Sequence, residues 1–169
     1  EGASRIAAGS PRRAVSVVAE VIAAMQGKID FIRTKSPLAL RTLGKGNLVI
    51  RRLPLAEEAG APGAYGGAGS IDGTEPGKIW LNLGNVDRHS RFSVASLAFH
   101  EGIPGHVWQG EYANRLPLIR TLLAFNAYSE GWALYAETLG DELGAYEGDP
   151  VGQLGYLQSI AFRACRMVV

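Results

Sequence analysis

His100 and Glu101 open the run His100-Glu101-Gly102-Ile103-Pro104-Gly105-His106, and Glu130 follows 24 residues after the second histidine. Imidazole nitrogen and carboxylate oxygen are ligands that zinc accepts, and three of them with a fourth position left to water make a hydrolytic rather than a structural site. A further carboxylate beside the ion is placed to take a proton from that water. His100, His106 and Glu130 are therefore the candidate metal ligands, and Glu101 is the candidate general base.

The spacing raises an objection. Histidines four apart lie about 40° apart around a helix, but six apart they lie about 240° apart and face different ways. Pro104-Gly105 answers it, because Pro104 has no N–H for the carbonyl of His100 and Gly105 can adopt backbone conformations closed to other residues. The sequence therefore predicts a broken or bulged helix between Gly102 and His106, which would return His106 to the side of His100.

Around Glu130, Gly131 removes a side chain where two backbones could need to approach. Glu137, two turns on, is a candidate acceptor for a histidine N–H and the alternative third ligand; the plainer reading of Glu137 and Asp141 is a solvated helix face. Tyr128 and Tyr135 lie about 160° and 140° around the helix from Glu130, which suits packing better than stabilisation of an oxyanion. Arg163 and Arg166 could meet a substrate carboxylate, against a plainer role in solvent or at a helix end. His89, in a polar segment, reads as a surface residue, and Cys165, in an apolar stretch, as a buried inert thiol.

The elements that must position these residues read as mainly helical. Ser10-Pro11 opens a helix running to about Lys35 and ending before Pro37. Asn47 to Leu53 reads as a short strand, Gly60 to Gly77 as a loop or loose hairpin, and Lys78 to Leu83 as a second strand. That glycine-rich loop carries neither a Walker pattern nor a dinucleotide fingerprint. A helix from Ser93 delivers the histidine motif, Pro117 opens a long one from Leu118 to about Leu143, and Asp149-Pro150 caps the last, from Val151 onward. The fold class is α+β, mainly α: a helical core with a small antiparallel β element before the motif helix.

At 169 residues the chain fits one domain, 1–169, with a core that needs no disulfide. The 17 basic and 16 acidic side chains nearly balance, which excludes the electrostatic footprint of a nucleic-acid binder. No apolar run reaches the roughly 20 residues of a membrane span, and no signal-peptide pattern opens the chain. It reads as soluble, with cytoplasmic and periplasmic or secreted locations equally open. Glu1 and the uncapped apolar end at Met167-Val168-Val169 read as a fragment of something larger.

His100 to His106, followed by Trp108-Gln109 and by Glu130-Gly131-Trp132-Ala133-Leu134-Tyr135-Ala136-Glu137, resembles bacterial domain-of-unknown-function family 885. Its members look like zinc-dependent peptidases of the gluzincin type. Tyr65 to Asn82 and the segments Gly155-Tyr156-Leu157 and Arg163-Ala164-Cys165-Arg166 extend the resemblance over about Ala61 to Val169. It implies Zn2+ held by His100, His106 and Glu130, with Glu101 as general base toward a zinc-held water and a peptide as substrate, carboxypeptidase-like cleavage included. It implies too that members carry a longer N-terminal part and a further histidine-containing stretch beyond Val169. The rival reading is a non-catalytic metal-binding or interaction domain.

Overall fold

The computed structural model describes residues 11–44, 48–123 and 125–168. It is mainly helical with one three-stranded sheet. Helix α1 spans Pro11–Lys35, followed by a short 3-10 turn at Ser36–Leu38. Strands β1 (Leu48–Arg52), β2 (Ala64–Gly67) and β3 (Gly77–Leu81) precede α2 (Val94–Glu101), α3 (His106–Ala113), α4 (Ile119–Leu122), α5 (Asn126–Glu142) and α6 (Pro150–Arg166). Ser10 and Asn47, expected at the start of α1 and β1, lie outside the described residues.

Val21, Met25, Ile29 and Ile32 recur every three or four residues along α1 and are all buried, so the helix exists as one apolar stripe pressed on the rest. The stripe meets Ile79 and Leu81 of β3 and Ala98 and Phe99 of α2 in a single core. Along β3 every second residue is buried, Gly77, Ile79 and Leu81, and Ile79 and Leu81 carry this face into the core.

The sheet corrects the expected antiparallel element. Its order is β1-β3-β2, with β1 and β3 parallel and β2 and β3 antiparallel. Residues 53–76 join the parallel pair, long enough for the crossover that parallel strands require, and β2 is folded out of that crossover. Gly66 and Gly67 gave this segment the composition of a loop. Gly66 is nevertheless needed: a Cβ there would stand 1.9 Å from the carbonyl oxygen of Glu101, so the strand can approach α2 only without a side chain.

The long helix expected from Leu118 is two. Leu123, at φ −94° and ψ 79°, leaves the helical region, and α5 begins after the extended Phe125. Neither glycine nor proline marks that break, so periodicity could not find it. The last helix is capped as expected, Asp149 accepting from the Gly152 N–H at 3.0 Å with Pro150 in the first turn. Lys28 reaches Asp149 at 2.9 Å, tying α1 to the start of α6.

Two further expectations are overturned. His89 is buried, its Nε2 2.8 Å from the carbonyl oxygen of Asn82, because the 3-10 turn at Val86–Arg88 rotates it inward. Cys165 is exposed rather than buried, since the buried face of α6 is confined to Gly152, Gly155 and Tyr156 in its first half. No helix among the described residues is long and apolar enough to cross a membrane.

Candidate metal centre

Helix α2 ends at Glu101 and α3 begins at His106, so the expected break falls between them. Gly102 (φ −98°, ψ −113°) and Gly105 (φ −76°, ψ −134°) leave the helical region on either side of a cis Ile103-Pro104 bond. The turn folds back tightly on the helix it leaves. A Cβ on Gly105 would lie 1.8 Å from the carbonyl oxygen of His100 and 2.3 Å from that of Phe99. Reversal over so few residues brings the rings of His100 and His106 to a centroid distance of 5.0 Å, perpendicular to one another.

Helix α5 supplies the third group. Glu130 Oε2 is 3.4 Å from His100 Nε2, and Glu130 Oε1 is 3.5 Å from His106 Nε2. One ligand atom from each of the three residues fits within a span of 4.8 Å. Tetrahedral zinc with bonds of 2.0–2.1 Å sets its donors about 3.3 Å apart, so the donor set fits the ion in type and spacing. Trp132, two residues beyond Glu130, donates from Nε1 to the Pro104 carbonyl at 2.8 Å and stacks on Trp108 of α3. These contacts hold α5 against the turn that carries the histidines.

Gly131 plays no part in that approach, because a Cβ there would meet nothing within 4 Å. Tyr135 turns its ring to Trp132, whereas Tyr128 lines the cleft in front of the ligands.

Glu137 lies behind the three candidate ligands, and the solvated-face reading fails for it. Its side chain is 1% exposed. Oε1 accepts from His100 Nδ1 at 2.8 Å and from Arg163 at 3.0 Å, while Oε2 accepts from the hydroxyls of Ser96 and, at 3.2 Å, Ser159. A carboxylate only accepts, so this contact assigns the ring proton to Nδ1 and leaves Nε2 free to bind a metal. Burial opposes charging of His100, yet the bond to Glu137 and the nearby carboxylates outweigh it and hold the imidazole pKa above its ordinary value. Asp141 is half-buried and bonded to Gln153 of α6, away from the ligands.

Glu101 is buried beside the ligands and receives the Gly66 N–H on Oε2 at 2.6 Å. Desolvation pushes its carboxyl pKa up, against the opposing pull of both histidines and of Gly66. It remains close to the cleft, a hollow of about 570 Å³ whose walls include Tyr65, Gly66, His106, Arg120 and Glu130.

Neither arginine singled out from sequence lines the cleft, although Arg163 stands 3.3 Å from His100 Nδ1 behind it. Arg163 docks on Glu137 from α6, and Arg166 packs over the Phe162 ring on the exposed end of that helix. Gly66 and Arg120 border the cleft without having been anticipated. Glycine in a loop-like segment and an arginine on a helix surface carry no sequence signal of such a place.

The sequence model for "Bacterial protein of unknown function (DUF885)" matches residues 4–169. The chain belongs to this family. Among solved structures, the family member's fold is similar to the crystal structure of a protein from Colwellia psychrerythraea provisionally named a lipoprotein, at TM-score 0.82 and 37% identity. The match takes in 89% of this chain and 26% of that one, so the chain spans about a quarter of the length of that protein. No curated protein matches it.

Proposed function

We propose that this chain carries the metal centre of a zinc-dependent peptidase. The observation behind the reading is the convergence of His100, His106 and Glu130 within 4.8 Å, with the carboxylate of Glu101 buried next to them and a cleft in front. Zinc bound there would acidify a water and polarise the scissile carbonyl.

The chain's own groups then have distinct tasks. Glu101 takes the proton of the attacking water and delivers it to the departing amine, a role suited to a carboxyl whose pKa is raised by burial. The Gly66 N–H fixes the orientation of that carboxylate. Glu137 holds the His100 ring through Nδ1, so that the lone pair of Nε2 faces the ion. Glu130, more exposed than either histidine, closes the set from α5.

Against a closed structural zinc site stands the ligand count. Such a site needs four protein ligands, and among the described residues the cluster has three, with the lone thiol of Cys165 exposed near the end of α6. The reading is tested with a peptide library digested by the zinc-loaded chain and by Glu101→Gln. Cleavage by the first and its loss in the second, with zinc retained in both, is expected; equal cleavage by both would remove Glu101 from the mechanism.

A further inference from the structure

We infer that Arg120 selects the substrate, making this a cleft for the C-terminal residue of a peptide that ends in a large apolar side chain. The inference rests on the peptidase reading and adds where along a peptide the cut falls. Arg120 supplies the one fixed positive charge among the described residues lining the cleft, whose carboxylates are Glu101 and Glu130. Its guanidinium has no hydrogen-bond or ion-pair partner among the described residues.

The same side chain borders a second hollow of about 380 Å³. Leu116, Ile119, Leu123, Phe125 and Tyr112 give that hollow an apolar wall, and Arg120 is its only charged member among the described residues. Gln109, Ala113, Arg120, Leu123 and Tyr128 line both spaces, so the two are neighbours across a shared wall to which Arg120 belongs.

A ligand that uses all three features must present a carbonyl to the metal, an anion to Arg120 and an apolar body to the second hollow. The last residue of a peptide does so, because its α-carboxylate and its side chain branch from one Cα, one bond beyond the nitrogen of the final peptide link. With zinc bound, the ion's charge offsets Glu101 and Glu130, so the cation left to receive a terminal carboxylate away from the metal is Arg120, and guanidinium pairs with carboxylate through two parallel bonds. An internal stretch of peptide would leave the charge of Arg120 unanswered. In the reaction, water adds across the last C–N bond: the carbonyl carbon gains the hydroxyl and becomes a new carboxylate, and the nitrogen gains the proton and leaves as the free apolar amino acid.

Binding can be separated from turnover by titrating zinc-loaded Glu101→Gln, followed by calorimetry, with an N-acetylated peptide ending in Phe as free acid or as amide, and with the same peptide ending in Gly. The acid should bind about tenfold tighter than the amide, as a charge-assisted bidentate pair implies. The Gly peptide should bind more weakly than the Phe peptide. Adding Arg120→Gln should abolish the preference for acid, and Arg120→Lys should restore part of it. Arg120 is exposed, so Arg120→Gln should keep the parent's thermal midpoint. Equal affinity for acid and amide, no binding of either by the zinc-loaded chain, or a preference that survives Arg120→Gln would overturn the inference and leave the peptidase reading standing. Failure of the chain to hold zinc would overturn both.

Discussion

Glu137 is the residue on which the proposed metal centre leans most. It is almost fully buried and takes four donors, from α2 and α6, while gripping His100 on the nitrogen opposite the cleft. Glu137→Gln keeps the shape but can offer a donor where His100 expects an acceptor, so zinc affinity should fall about 10–100-fold in a chelator competition. Glu101→Gln should leave that affinity nearly unchanged, and peptide hydrolysis should drop by about 10²–10⁴-fold, the range of a lost general base. The pKa values of both His100 and Glu101 are raised in the folded chain. Each therefore holds its proton more tightly folded than unfolded, and its contribution to stability is complete below the unfolded value and lost as pH climbs through the folded one. For His100 that loss begins near 6.5, so the thermal midpoint of the metal-free chain should fall as pH rises above it, and zinc affinity should rise as the competing proton leaves. Replacing His100 by Gln should flatten the first trend. Residue type and order were enough to single out His100, His106 and Glu130 as a group that the fold brings together, because a pair of histidines, two glutamates and a Pro-Gly step seldom coincide without cause. Gly66 and Arg120 were not legible, since their importance comes from what the fold sets beside them.

At the scale of elements, the site depends on a helix that stops and restarts. Gly105 has no room for a methyl, with the His100 carbonyl 1.8 Å from the position of its Cβ. Gly105→Ala should lower stability by about 1–3 kcal/mol in denaturant unfolding and weaken zinc binding with it, because relief of the clash must move His106. Gly131→Ala is the matched control. That position is mid-helix with nothing within 4 Å, so alanine should stabilise by about 1 kcal/mol. The break between α2 and α3 could be foreseen from Pro104 and Gly105, and the helices α1 and α6 from their apolar spacing and caps. The parallel pairing of β1 with β3 could not, because alternation within a strand says nothing of its partner's direction. The division of α4 from α5 was equally hidden, with no breaker residue to announce it.

Across the whole molecule, three separate pieces of sequence meet at one point: the strand β2, the α2–α3 turn and the second turn of α5, with α6 bracing them from behind through Arg163. A ligand that binds only where these pieces are assembled stabilises the assembly. At zinc one hundred times above its dissociation constant the gain is about 2.7 kcal/mol, which for a chain of this size raises the thermal midpoint by about 5–10 °C. Chelator should reverse the rise. The central claim is that His100, His106 and Glu130 form one zinc site, and the most direct measurement is zinc stoichiometry of the purified chain beside His106→Ala and Glu130→Gln. The account predicts one tightly held zinc per wild-type chain and its loss or marked weakening in both variants. A wild-type chain that holds no zinc, or variants that hold it as firmly as wild type, would contradict it.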